Sequence, residues 1–289
     1  MEPDAPKPPA ASPPSPTDEK LKIYFLPNVM TGANLFCGFV ALTKIVEWNA
    51  AVNNYHDIKI ALFFILLACI FDLLDGRVAR MGGAESPFGR EFDSLADIIS
   101  FGVAPAFLVY RVVLQDVFIN HPKWGWFIAS IYLLCGAFRL ARFNCLAAMA
   151  GTGGGREFLG FPIPAAAGLV SSLTLFMIWW DEKEFAKANW RFVLPVILLF
   201  LSGMMVSEVK YPTFKKLDLR ATRTFTKTLI AILILGSGFV LQEKILYWVL
   251  PLFFTCYLVY GFIRPHISRK VRYEIADDDD DDDEASTAS

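Results

Sequence analysis

The chain has 289 residues, of which 55% are hydrophobic and only 19% charged, with a mean hydropathy of +0.43. A soluble domain is about 45–50% apolar and about 25% charged, so this composition excludes a soluble globular enzyme, a disordered chain and a disulfide scaffold, and leaves a polytopic membrane protein. The net charge of -2 joins unlike parts: residues 277–284 are seven Asp and one Glu, and taking those eight from 29 acidic residues leaves 21 against 27 basic. The remaining body is basic, which suits an anionic surface or anionic substrates; no nucleic-acid partner is expected.

Residues 1–20 are rich in Pro, Ala and Ser, offer no apolar face to bury, and are expected to be a disordered tail without the apolar core of a signal peptide. Eight apolar segments follow, at 29–47, 58–75, 94–114, 124–143, 162–180, 191–207, 228–242 and 245–263. A bilayer span needs about 20 residues, and backbone groups in lipid must be satisfied internally, so the expected fold is all-α with about eight transmembrane helices. The expected domains are the tail 1–20, a transmembrane domain 21–265 and a cytoplasmic acidic tail 266–289. If both termini and the even loops share one side, that side carries 19 of the 27 basic residues and the other carries seven. The excess of Lys and Arg on one side places both termini in the cytoplasm. Cys37, Cys69, Cys135, Cys145 and Cys256 are scattered through or beside apolar stretches and read as apolar fillers, and His56, His121 and His266 stand alone.

The chemistry is concentrated where the second segment leaves the membrane and the third returns. Asp72 and Asp75 are three residues apart and share one helix face, while Gly89, Asp93 and Asp97 recur every four residues as a stripe on the next helix. A short connection makes the two helices antiparallel neighbours, so four carboxylates can converge. Each Asp costs roughly 2.5–3.5 kcal/mol at mid-membrane, less near the interface, and clustering like charges adds to that. A hard divalent cation resolves both costs, and carboxylate oxygens with water and phosphate are what Mg²⁺ or Mn²⁺ prefers. Two such ions could clamp the entering and leaving oxygens of a phosphoryl transfer. Gly76 and Ala79 leave room beside the acidic face, and Arg80 and Arg90 can neutralise phosphate.

The pattern D-x-x-D-G-x-x-A-R-x8-G-x3-D-x3-D, from Asp72 to Asp97 without departure, resembles the signature of the CDP-alcohol phosphotransferases. That resemblance implies a helical membrane fold with a dinuclear metal site of Asp72, Asp75, Asp93 and Asp97 at the cytoplasmic face, with Asp97 as general base. It implies CDP contacts at Gly76, Arg80 and Ser86, within a substrate site that also includes Ala79 and Gly89. Asn28 and Thr31, in the stretch from Pro27 to Asn34, resemble the family's opening of its first helix and are expected to join them.

Three further stretches, Gly136–Asn144, Phe158–Ala167 and Met205–Lys215, fall on the same side by the charge argument. Together with Asp97–Ala106 they resemble the bacterial and archaeal branch of the family that uses CDP-diacylglycerol and L-serine, over roughly residues 22–265. Lys210 stands where Arg is expected, so a phosphate there would lose the bidentate fork. Arg139 and Arg142, three apart at a helix end, suit a carboxylate or phosphate of the acceptor site, whereas Lys215, Lys216, Arg220 and Arg223 suit anionic membrane lipids. A homodimer is implied by resemblance alone. Choline, glycerol 3-phosphate or an inositol compound are alternative acceptors. A cation transporter is the alternative from another class, although the aspartates sit on one hairpin and no internal repeat is evident.

Overall fold

The structure, a computed structural model, describes residues 25–49, 54–81, 87–149, 158–183, 192–211 and 247–260. Both tails, the expected segment at 228–242, Ser86 and the basic residues from Lys215 to Arg223 lie outside the described residues. The elements are helices α1 (Phe25–Glu47), α2 (His56–Met81) and α3 (Pro87–Asp97), then a π-helical turn π1 (Ile98–Val103), α4 (Ala104–Val109), a second π-helical turn π2 (Tyr110–Leu114) and α5 (Gln115–Val117). After them come α6 (Pro122–Met149), the two-residue strand β1 (Phe158–Leu159), α7 (Ile163–Glu182), α8 (Val193–Val206), β2 (Lys210–Tyr211) and α9 (Tyr247–Tyr260).

Among the described residues, four helical stretches are long and apolar enough to cross a membrane: Pro27–Glu47, Pro87–Val117, Pro122–Leu146 and Ile163–Glu182. The second is the expected third segment, made as one continuous rod from α3 to α5. Helix α2 is 26 residues long, but Asp57, Lys59, Asp72, Asp75, Arg77 and Arg80 charge both its ends. Helices α8 and α9 are shorter apolar helices. Large apolar side chains such as Phe36, Phe39, Phe138, Val196, Leu252 and Phe253 face outward, while Thr31, Asn34, Asp75, Asp97, Ser100 and Arg139 are buried. Turning its few intramembrane polar groups inward, among an otherwise apolar core, is the arrangement a lipid solvent selects.

Helix α1 packs along α2 and against α3 and π1, α7 lies on α2, and α6 packs on α8 and π1. One end of the bundle is tied by polar contacts. The Asn54 side chain accepts the His56 amide at 2.9 Å, capping the start of α2. The Arg111 guanidinium donates to the Trp48 carbonyl at 2.9 Å and lies 5.9 Å over the Trp48 ring, closing the end of α1. Lys59 on α2 pairs with Glu182 at the end of α7 at 2.8 Å. Asp72 lies thirteen residues beyond Lys59, about 20 Å along the helix, so the acidic site is at the opposite end.

At that opposite end, β1 and β2 form an antiparallel clasp, pairing Phe158 with Tyr211 and Leu159 with Lys210. The Gly160 amide donates to the Val209 carbonyl at 2.9 Å and the Phe161 amide to the Met204 carbonyl at 3.0 Å. Gly160 adopts φ 81°, and a Cβ there would run into the Met205 carbonyl, so only glycine fits this close approach. Pro162 then leads in extended backbone into α7, with Pro164 in the first turn, where a missing amide hydrogen costs nothing. The clasp is the one departure from an all-helical architecture among the described residues.

Candidate active site

Helices α2 and α3 present four carboxylates to one another. Oxygens of Asp72, Asp75 and Asp93 all lie within 4.8 Å of each other. Asp97 is one turn further along α3, buried, within hydrogen-bonding reach of Asp72. The structure thus brings all four sequence-predicted acidic residues into one cluster.

Helix α1 supplies the polar groups that hold the cluster. The Thr31 hydroxyl lies 3.1 Å from Asp75 Oδ2 and 3.2 Å from the Pro27 carbonyl, so its single proton serves one or the other. The Asn34 side-chain amide donates to Asp97 Oδ1 at 3.2 Å. One turn later Gly38 lets α1 press against π1, since a Cβ there would collide with Ser100. The Ser100 hydroxyl in turn donates to the Asn34 carbonyl at 3.0 Å. Thr31 and Asn34 are three apart on the face that meets the aspartates, whereas the sequence motif points only to Asn28 and Thr31 on this helix. A polar residue one turn beyond Thr31 in an apolar helix was the available signal for Asn34.

The π1 turn begins at the residue after Asp97 and has a local cause. Pro105 carries no amide hydrogen to donate back to the Phe101 carbonyl, so a regular α-helical bond is missing there. The Tyr132 hydroxyl of α6, fully buried, donates to that carbonyl at 3.2 Å. The widened turn is therefore pinned from α6 directly behind Asp97. Such π-bulges are frequent at functional sites, and the sequence carried only the proline as a sign of this one.

Arg139, also from α6, is buried beside the cluster and interacts electrostatically with Asp97 and Asp72, while its Nε has no hydrogen-bond partner. Arg142 goes elsewhere: its guanidinium donates to the Val206 carbonyl at 3.1 Å and lies 3.8 Å from Glu208, bracing the end of α8. Asn144 ties α6 to α3 through the Ser94 hydroxyl at 2.9 Å. Asn28 lies in the first turns of α1 with its Nδ2 buried and unpaired. Gly76 is exposed on α2, and a Cβ there would meet nothing within 4 Å. Gly89 sits one turn before Asp93 on α3. Lys210 joins the clasp through its backbone; its side chain, like those of Ala79 and Arg80, lies outside what is described.

Four carboxylates this close require compensation. At 4.8 Å two unit charges repel by about 3 kcal/mol at an effective dielectric of ~20, and the cluster contains several such pairs. Arg139 offsets one charge of four. Asp93 Oδ1 is buried without a hydrogen-bond donor, as expected of an oxygen built to meet a cation. The donor set is all oxygen, which fits Mg²⁺ or Mn²⁺ and not a soft metal.

Residues 24–204 match the profile of the family described as CDP-alcohol phosphatidyltransferase. The chain is 35% identical over 244 residues to a CDP-diacylglycerol–serine O-phosphatidyltransferase of Helicobacter pylori, covering 84% of this chain and 91% of that one. It is 34% identical over 198 residues to an archaetidylserine synthase of Methanothermobacter thermautotrophicus, covering 68% and 73% respectively. A Saccharomyces cerevisiae CDP-diacylglycerol–serine O-phosphatidyltransferase is 35% identical over 198 residues, covering 64% of this chain and 69% of the yeast one. The aspartate motif, the helical membrane architecture and these matches agree: the chain belongs to the CDP-alcohol phosphatidyltransferase family.

Proposed function

We propose that this protein transfers the phosphatidyl group of CDP-diacylglycerol to the hydroxyl of L-serine, yielding phosphatidylserine and CMP. The observation that carries the reading is the facing of Asp72, Asp75 and Asp93 across the α2–α3 hairpin, with Asp97 adjacent, in a chain whose relatives bear serine phosphatidyltransferase names. Two divalent ions, Mg²⁺ or Mn²⁺, held by Asp72, Asp75, Asp93 and Asp97 would neutralise the pyrophosphate and stabilise the charge on departing CMP. Formal charge supports the pair: four carboxylates and Arg139 sum to -3, and two dications would turn this to +1, suited to an anionic donor.

The chain's own groups then divide the work. Asp97 takes the proton of the serine hydroxyl, whose oxygen forms a bond to the phosphorus bearing diacylglycerol as the bond to the CMP oxygen breaks. Asn28, Thr31, Gly76, Ala79, Arg80, Ser86 and Gly89 line the CDP moiety, and the exposed Gly76 offers it an open approach. Arg139, buried beside Asp97, receives the serine carboxylate, while Arg142 braces that side at the end of α8 and Lys210 joins it through the clasp. The reading extends to eight spans over a transmembrane domain 21–265. The tails 1–20 and 266–289 and the site lie on the cytoplasmic side, where 19 of 27 basic residues meet anionic lipids, and the assembly is a homodimer.

Purified protein supplied with CDP-diacylglycerol and, separately, serine, choline, glycerol 3-phosphate or an inositol acceptor tests this by CMP release. Release that needs both serine and a divalent cation is expected. Release with another alcohol and not with serine reassigns the acceptor, and vectorial ion flux without CMP release would replace the enzyme reading with transport.

A further inference from the structure

The Asn34 side chain is fully buried and only half satisfied. The Asn34 NH2 donates to Asp97 Oδ1 at 3.2 Å. Asn34 Oδ1, the other edge of the amide, is buried with no donor among the described residues. A buried, unpaired amide oxygen is costly, and natural structures retain few of them without a reason. The Asp97 contact holds the side chain in place. Its backbone is fixed as well, by the Ser100 hydroxyl at 3.0 Å and by the close approach at Gly38.

We infer that Asn34 is an acceptor-selecting residue: its Nδ2 positions Asp97, and its Oδ1 receives the ammonium group of an amino-alcohol acceptor. The inference rests on the proposed reading of Asp97 as the group that takes the acceptor's hydroxyl proton. An acceptor whose hydroxyl meets Asp97 lies beside Asn34, and in serine the ammonium is on the carbon adjacent to the hydroxymethyl carbon. One asparagine therefore bridges the base and the group that distinguishes an amino alcohol from a plain one. Arg139, also beside Asp97, is left for the carboxylate, so the three substituents of serine meet three different partners.

The test compares serine with 3-hydroxypropanoate, which is serine without its amine, in the wild type and in Asn34→Ala and Asn34→Asp. Wild-type protein is expected to favour serine in kcat/KM by roughly tenfold or more, the worth of a hydrogen bond to a charged group. Asn34→Ala is expected to lose that preference, with KM for serine raised and KM for CDP-diacylglycerol unchanged. Asn34→Asp keeps an acceptor oxygen in an isosteric side chain, so it is expected to turn over slowly yet still prefer serine; it also serves if the alanine variant does not fold. Serine preference retained in Asn34→Ala, or lost in Asn34→Asp, overturns the inference. A changed metal requirement with unchanged preference would assign Oδ1 to a metal-bound water and also overturn it. Absence of serine-dependent CMP release in the wild type is a separate outcome, which fails the reading of the reaction itself.

Discussion

Replacing Asp93 with Asn should move stability and activity in opposite directions. The substitution is nearly isosteric and removes one charge from a group whose oxygens lie within 4.8 Å of those of Asp72 and Asp75. Each of those two repulsions is worth about 3 kcal/mol at an effective dielectric of ~20. Proton sharing and local solvent relaxation reduce the realised relief to about 1–3 kcal/mol. At about 2–4 °C per kcal/mol for a chain approaching this size, the metal-free variant should melt a few degrees above the metal-free wild type. In the presence of metal that advantage shrinks. A cation at about 100 times its Kd stabilises a protein that binds it by about 2.7 kcal/mol, and Asp93→Asn forfeits much of that by losing a ligand. The assay is a thermal melt of detergent-solubilised protein in EDTA and in saturating Mg²⁺ or Mn²⁺, with CMP release measured alongside. A variant less stable than the wild type in EDTA, or one stabilised by metal as strongly as the wild type, would refute the reading of this cluster as a cation site.

Asp97→Asn should abolish CMP release while CDP-diacylglycerol binding, measured by equilibrium binding to purified protein, persists; substantial residual turnover would remove Asp97 from the role of base. Gly160→Ala places a Cβ against the Met205 carbonyl at φ 81°, and a loss of about 1–3 kcal/mol is expected in a thermal melt. A melt unchanged from the wild type would mean that the β1–β2 clasp contributes nothing to the fold. Tyr132→Phe deletes the donor to the Phe101 carbonyl, whose α-helical partner Pro105 cannot supply, and should cost about 1–3 kcal/mol. Its kcat should fall as well, since π1 follows Asp97 directly, while KM for CDP-diacylglycerol stays near the wild-type value; kinetics in matched detergent check both.

The acidic motif was legible because its spacing is helical: residues three or four apart on two adjoining helices leave little freedom once the helices are antiparallel. Asp72, Asp75, Asp93 and Asp97 could therefore be placed together before any coordinates. The same arithmetic says nothing about rotation of one helix against its neighbours. Arg139 and Arg142 are three apart and looked equivalent, yet Arg139 is buried beside the aspartates and Arg142 is bound to Val206 and Glu208. The third apolar segment was readable as a helix, but its two π turns were not, because hydropathy does not register how backbone hydrogen bonds are paired; only the first has a proline, Pro105, that leaves a carbonyl without its donor.

Composition and spacing alone determined that the chain is a helical membrane protein with clustered carboxylates, since both follow from transfer energies and helix periodicity. Tertiary structure decided which neighbours those carboxylates have. It set Thr31 against Asp75 and Asn34 against Asp97, brought Tyr132 behind the π turn, and closed the clasp at Gly160. These contacts join residues tens of positions apart, and they depend on close approaches at Gly38 and Gly160 that no local pattern encodes. The charges were written in the sequence; the hydrogen bonds that orient them arise only when α1, α3 and α6 meet.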